Sequence, residues 1–379
     1  MRCFRVRQSS RQGGGTDMTP RKLIGTAVAA AIAGTAAGAH AQVTLDGDPK
    51  VAFLYYSATN DGGWTQALDR GRLRMQEALG MEAAYVENVE ETSEAVRQAA
   101  EIFISRGYNI IIGTSYGFGD GLKELAAEYP DIAFLNVAGE TEAPNLETFY
   151  ARTYQPWYLA GMAAGAMTET GTIGIVAGFP VSVVNWDINA FARGAQAMNP
   201  DVEVIVTFLN TWYDPVKERQ AATAILEQGA DVLATNMAST APVVAAEEAG
   251  VWSIGFQNDM SAAAPTKHLT SVVFNWETYF IPVIETIAAG NWTSRGLPLV
   301  GLEYGTADIT PLNAAVPAEV VERINATRQA FAEGTATPYD GPVVKQDGTE
   351  VVGAGESIDD AGLWGMDYLV QGITGSVPE

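Results

Sequence analysis

The chain has 379 residues, 47% hydrophobic and 18% charged: enough apolar material for two domains with separate cores, and too little charge for a disordered chain. Its formal net charge of −23 excludes nucleic acid as a partner and argues against an anionic membrane surface, because binding phosphate requires a basic face. The single cysteine, Cys3, rules out a disulfide within the chain.

Met18 is followed by Arg21-Lys22, an apolar run from Leu23, and Ala39-His40-Ala41 before Gln42, the pattern of a secretory signal peptide over 18–41 with its cleavage site. Residues 1–17 then precede the true start at Met18, and no adjacent Arg pair stands before the apolar run to make a twin-Arg signal. The alternative, a membrane anchor over 23–41, has only a weakly apolar Ala/Gly/Thr run to rest on. Cleavage removes Cys3 and leaves no cysteine to carry a lipid, so the expectation is a freely diffusing periplasmic monomer that is not a lipoprotein.

From residue 48 onward, short apolar runs alternate with amphipathic stretches. Strands are expected at about 51–57, 82–88, 109–113, 132–137 and 148–153, with helices at 64–80, 92–107, 118–129 and 155–168. Thr92 or Ser93 caps the second helix, Gly107 ends it, and Pro130 stops the third. The layout recurs with strands near 171–177, 202–208, 231–235 and 251–256 and helices near 183–198, 214–229 and 239–249. Two successive units of this kind predict an α/β chain with two doubly wound lobes. A strand at 269–274, a helix from Glu277 to Ala289 and another from Pro317 to Glu333 follow, and periodicity does not assign them to either lobe.

The organising stretch is Val51–Gly71, where an apolar strand stops at Thr59-Asn60-Asp61-Gly62-Gly63 and a helix opens around Trp64. In open α/β sheets small ligands bind outside the carboxyl ends of the strands, so this loop should face the site. Trp64 is then either a flat surface for a planar ligand or a core residue capping the helix. Trp186, Trp212 and Trp276 fall at similar strand-to-helix edges and suggest an aromatic-lined cleft, which suits bases and carbohydrates alike. Asp120, in the glycine-rich turn Gly113–Gly121, is either a helix cap or an acceptor for ligand N–H groups. The glycine spacing of that turn fits neither a dinucleotide loop nor a phosphate loop.

Catalytic constellations are thin. Beyond the leader His268 is the only histidine, no cysteine remains, and there is no Gly-x-Ser-x-Gly elbow, which excludes Cys–His pairs and histidine-rich zinc sites. His268 itself reads as a surface residue. An enzyme would have to work with carboxylates such as Asp61, Asp120 and Asp259.

Asn60-Asp-Gly-Gly-Trp-Thr-Gln with Gly71, Gly117-Phe-Gly-Asp-Gly-Leu-Lys-Glu-Leu-Ala, Tyr158-Leu-Ala-Gly-Met-Ala-Ala-Gly, Asp214-Pro-Val-Lys, Gln228-Gly-Ala-Asp-Val, Thr270-Ser-Val-Val and the closing Met366–Pro378 resemble the basic membrane protein family. The resemblance runs from about residue 48 to the end and implies a substrate-binding component of an ATP-driven importer, with relatives that bind purine nucleosides. It implies a type I periplasmic-binding-protein fold: lobe 1 over 48–160, lobe 2 over 161–268, crossing segments over 269–334 and a tail over 335–379 packed on the lobes. It carries stacking aromatics onto Trp64 and Trp212 and an acid near the base onto Asp120. With the strand-end loops, it makes Asn60, Trp64, Tyr116, Asp120, Trp212, Asn236, Gln257, Asn258 and Phe274 the candidate ligand residues.

The implied function is that of a non-enzymatic, cofactor-free receptor that delivers a purine to an ABC permease in the inner membrane. Where nucleoside-binding relatives hold the sugar with an acid and a lysine, the chain has Gln257 and Phe274, which favours a free base of adenine type. A register shift would instead place Asp259 at the acid and restore a nucleoside. A carboxylate-dependent nucleoside hydrolase and a ligand sensor are the competing functions.

Overall fold

The computed structural model describes residues 42–377; the expected signal peptide and the residues before it lie outside the described residues. The first five strands are β1 (Val51–Leu54), β2 (Ala83–Val86), β3 (Ile110–Gly113), β4 (Ala133–Val137) and β5 (Leu146–Ala151). The helices among and after them are α1 (Trp64–Leu79), α2 (Ser93–Ile104), α3 (Gly119–Glu128) and α4 (Tyr154–Met167). The next unit comprises β6 (Thr172–Ala177), α5 (Ser182–Met198), β7 (Glu203–Phe208), α6 (Pro215–Glu227), β8 (Val232–Asn236), α7 (Ala241–Ala249), β9 (Trp252–Gln257) and β10 (His268–Phe274). The chain continues through α8 (Glu277–Ala288), β11 (Leu299–Val300), β12 (Ala307–Ile309) and α9 (Ala318–Ala332). It closes with β13 (Val343–Val344), β14 (Glu350–Val352), α10 (Asp360–Trp364) and β15 (Ile373–Thr374).

The inner strands β1, β3, β4 and β5 are wholly buried and mostly apolar, Asn136, Glu147 and Thr148 excepted, as strands covered by helices on both faces must be. They form a sheet in the order β11-β5-β4-β3-β1-β2, and a second sheet runs β12-β10-β9-β8-β6-β7-β15. Every pairing in the two sheets is parallel except that of β12 with β10. Each sheet starts its own winding at an inner strand, β1 or β6, so each has a switch point where strand order reverses and the carboxyl ends open a crevice. This is the type I periplasmic-binding-protein architecture of two doubly wound lobes.

The local signals act as their chemistry dictates. Thr92 caps α2 by accepting from the Ala95 N–H, and Asp214 caps α6 by accepting from Lys217. At α1 the carboxylate of Asp61 accepts from the N–H groups of Gly63, Thr65 and Gln66, so this acid is committed to the helix start.

The chain leaves the first sheet after β5, and α4 packs on α5, β9, β10 and β12 of the second lobe, so the first crossing falls between β5 and α4 and not within α4 at residue 160. It returns through α8, which packs on α1, and β11, which pairs with β5; β12 then pairs with β10. β15, in the tail, pairs with β7 and extends the second sheet.

His268, expected at the surface, is buried between two serines: Nδ1 lies 2.9 Å from Ser253 Oγ and Nε2 2.8 Å from Ser271 Oγ. Burial holds its pKa down at about 4, outweighing the pull of Asp259 and Glu247. The unfolded chain takes a proton near the ordinary value of about 6.5 while the folded chain refuses it. Stability is therefore full above that value and falls by roughly 3 kcal/mol as pH drops towards 4. Denaturant titrations should show this slope in the parent and its loss in His268→Gln; equal slopes in both would refute the assignment.

Candidate ligand-binding cleft

Between the sheets lies a cavity of about 60 Å³, smaller than the roughly 300–1,000 Å³ usual for small-ligand sites. It is built from strand ends and the loops that follow them. Tyr56, Ser57, Asp61 and Trp64 follow β1, Ser115 and Tyr116 follow β3, and Ala138 follows β4. From the second lobe come Val183, Val184 and Asp187 on α5, Trp212 and Tyr213 after β7, Asn236, Met237 and Ala238 at the end of β8, and Phe256 and Gln257 at the end of β9.

Trp64 is held from behind. Its indole Nε1 donates to the Thr114 carbonyl at 2.6 Å, and its ring meets Phe274 and Trp276 edge to face at 5.5 and 5.8 Å. Phe274 and Trp276 are themselves stacked at 4.5 Å. The indole thus reaches the cavity with its orientation fixed. Trp212 lies against the backbone of Gly178, where an added Cβ would come within 2.9 Å of its ring, and meets Phe179 at 4.8 Å.

The polar side of the cavity is acceptor-rich. Asp187 is 1% exposed, its Oδ2 accepts from Asn236 Nδ2 at 3.1 Å, and its Oδ1 has no partner. Burial pushes this carboxyl well above the usual range, against hydrogen bonds that favour the charged form. Gln257 Oε1 is likewise buried without a partner. The Tyr116 hydroxyl donates to Glu140 of its own lobe, and Ser182 from the second lobe donates to the same carboxylate at 3.2 Å. No Lys, Arg or His is among the lining residues, so a phosphate would find no counter-charge.

Two of these residues hold backbone shapes that L side chains rarely adopt: Ala138 at φ 65° and Gln257 at φ 72°. Each costs on the order of 1–3 kcal/mol and persists only where the surroundings enforce it. Both stand at cavity-facing strand ends, one in each lobe.

Of the sequence candidates, Trp64, Tyr116, Trp212, Asn236 and Gln257 come together here, and four do not. Asn60 is exposed on the loop before α1. Asp120 is exposed in the first turn of α3. Phe274 is fully buried beneath Trp64, so its ring supports the stacking surface without reaching a ligand. Asn258 spends its amide across the lobes, with Nδ2 donating to the carbonyls of Gly62 and Gly63 at 3.1 and 2.7 Å and Oδ1 accepting from Arg70. Asp259 is also exposed, bound to the Ser261 N–H, so the shifted register brings no acid to the cavity. Trp186 and Trp276 are fully buried core rings.

Tyr150 lines the cavity from near the end of β5, and Asp187, with Val183 and Val184, lines it from α5, where strand-end reasoning does not look. The signal for Asp187 is in the sequence: Asn185, Asp187 and Asn189 alternate with apolar residues in a helix buried nearly all round. A polar side chain there must meet a partner or a ligand.

Comparison with known proteins agrees with this architecture. A family model described as ABC transporter substrate-binding protein, PnrA-like (Bmp), matches residues 48–338. A purine-binding protein of Brucella abortus (strain 2308) is 35% identical over 93% of this chain and 100% of its own. A putative ABC transporter glucose-binding protein of Haloferax volcanii is 32% identical over 86% of this chain and 81% of its own. In structure, an ABC transporter solute-binding protein from Conexibacter woesei superposes with a TM-score of 0.63 over 76% of this chain and 98% of that one, at 23% identity. Substrate-binding proteins of these transporters are not enzymes; they bind small molecules for a membrane permease and act in the periplasm or outside the cell. No helix among the described residues is long and apolar enough to cross a membrane. The chain belongs to the Bmp, or basic membrane protein, family of PnrA-like substrate-binding proteins of ABC transporters.

Proposed function

We propose that the protein is the periplasmic receptor of an ABC importer, binding a purine nucleobase of adenine type between its lobes and passing it to a permease in the inner membrane. The observation that carries this reading is the pairing of indole surfaces, Trp64 and Trp212, with buried polar atoms lacking partners, Asp187 Oδ1 and Gln257 Oε1. Flat faces suit a planar ring by stacking, and the unpartnered oxygens suit the polar edge of a base. The name of the Brucella relative points the same way.

A base is preferred over its nucleoside because the acid–lysine pair for a ribose has no counterpart: Gln257 stands in one place and the buried Phe274 in the other. Ribose hydroxyls brought in without partners would cost roughly 1–3 kcal/mol each. A carboxylate-dependent hydrolase would have to pair the buried Asp187 with Asp61, whose oxygens are committed to the start of α1, since Asp120 and Asp259 are exposed. Export through a cleaved leader, without lipid, belongs to the same proposal.

Titration calorimetry with adenine, guanine, hypoxanthine, their nucleosides and glucose tests it. The expected result is a base bound at least tenfold more tightly than its nucleoside, with glucose silent. Tighter binding of any nucleoside or of glucose overturns the reading, and so does release of free base from a nucleoside.

A further inference from the structure

Asp187 is an expensive residue to keep where it is. Its side chain hangs from α5 into the cavity, 1% exposed, with one oxygen taken by Asn236 and the other unpartnered. The groups that bear on it are Tyr150 from β5, Thr153 before α4, Trp157 on α4, Trp186 on its own helix, Asn236 at the end of β8, and Tyr339 from the tail. None of these is a cation. A lone carboxylate in such surroundings costs several kcal/mol, and the group neutralises instead. Thr153, Trp186 and Trp157 lie close enough to favour its charged form, yet none makes a well-formed hydrogen bond to Oδ1, which is left for whatever fills the cavity.

Resting on the purine reading, we propose that Asp187 is the specificity-determining residue of the cleft: its free Oδ1 donates to the ring nitrogen next to the six-position substituent and so selects 6-aminopurines over 6-oxopurines. Adenine presents an acceptor at N1 beside a donor amine at C6; hypoxanthine and guanine present a donor N1–H beside an acceptor oxygen. Asn236 gives an N–H to Asp187 Oδ2 and keeps its own carbonyl oxygen to accept from the amine. The acid's O–H and the amide's carbonyl together match adenine, and both face the wrong partner in a 6-oxopurine. The raised pKa of the carboxyl supports this, since only the neutral form donates.

The discriminating variant is Asp187→Asn, which keeps shape and packing and whose amide can turn to present either a donor or an acceptor. The parent should bind adenine at least tenfold more tightly than hypoxanthine, and the variant should bring the two within about threefold. Infrared difference spectra of ligand-free parent against variant at pH 7 should show the carbonyl stretch of a protonated carboxylic acid that the substitution abolishes. An unchanged adenine-to-hypoxanthine ratio, a parent that prefers hypoxanthine or guanine, or the absence of that band overturns the assignment while leaving purine binding intact. A parent that binds no purine base overturns the purine reading and this assignment with it.

Discussion

Gly63→Ala is expected to lower ligand affinity about a hundredfold, ~2.7 kcal/mol, with both lobes still folded. Gly63 is the residue before α1, at the point where the first lobe meets the second. A Cβ placed on it would stand 2.2 Å from the Ala238 carbonyl and 2.4 Å from Gln257 Oε1, both on the opposite lobe. The Gln257 side chain can turn aside, but the Ala238 carbonyl and its Cα at 2.6 Å are backbone and cannot give way cheaply. The added methyl therefore acts only on the closed arrangement, and binding falls with the fraction of molecules that can close. Calorimetry reads the affinity, and small-angle scattering with saturating ligand reads the closure. A variant that compacts and binds like the parent would show that the lobes meet differently.

Trp64→Ala and Trp212→Ala should each weaken binding at least tenfold, about 1.4 kcal/mol, in keeping with the roughly 1–3 kcal/mol that a base gains on an aromatic face. The two should part company in stability. Trp64 is wedged against Phe274 and Trp276, so its removal opens a hole in packed aromatics and should cost about 3–5 kcal/mol in unfolding as well. Trp212, partly buried, rests on Gly178 and Phe179 without the aromatic packing that surrounds Trp64, and its loss should lower the midpoint of unfolding much less. Trp64→Phe is the control that separates the two effects, because it keeps a ring in the gap. If both alanine variants bind like the parent, the aromatic walls do not hold the ligand.

How much of this was legible in the sequence depended on what each residue's neighbours were doing. That Trp64, Trp212 and Asn236 line the cavity is legible because the carboxyl ends of parallel strands all open on one edge, a rule that needs only the strand assignments, while Gln257 comes from the family resemblance. The same rule misplaced Asn60, Asp120 and Asn258, because a loop position does not say which way a side chain turns or whether its hydrogen bonds are already spent. Phe274 enters only through the family resemblance, at the place of a lysine in nucleoside-binding relatives, and its ring faces the layer beneath the surface that Trp64 presents. Asp187 was hidden for the opposite reason: it sits inside a helix, where a search of strand ends does not look. The crossings after β5 and through β11 and β12 depend on contacts distant in sequence, which periodicity cannot record.

The amide of Asn258 has one further consequence. Arg70 donates to its Oδ1 and, at 2.8 Å, to the Phe274 carbonyl, and so fixes which end of the amide faces the Gly62 and Gly63 carbonyls. These bonds join one lobe to the other without touching the cavity. They are the same for every ligand, so they contribute nothing to choosing one over another; they set how long the cleft stays shut. Opening has to break them together. Residence time is thereby uncoupled in part from the strength with which the cavity grips its contents, and a ligand of modest affinity can still leave slowly.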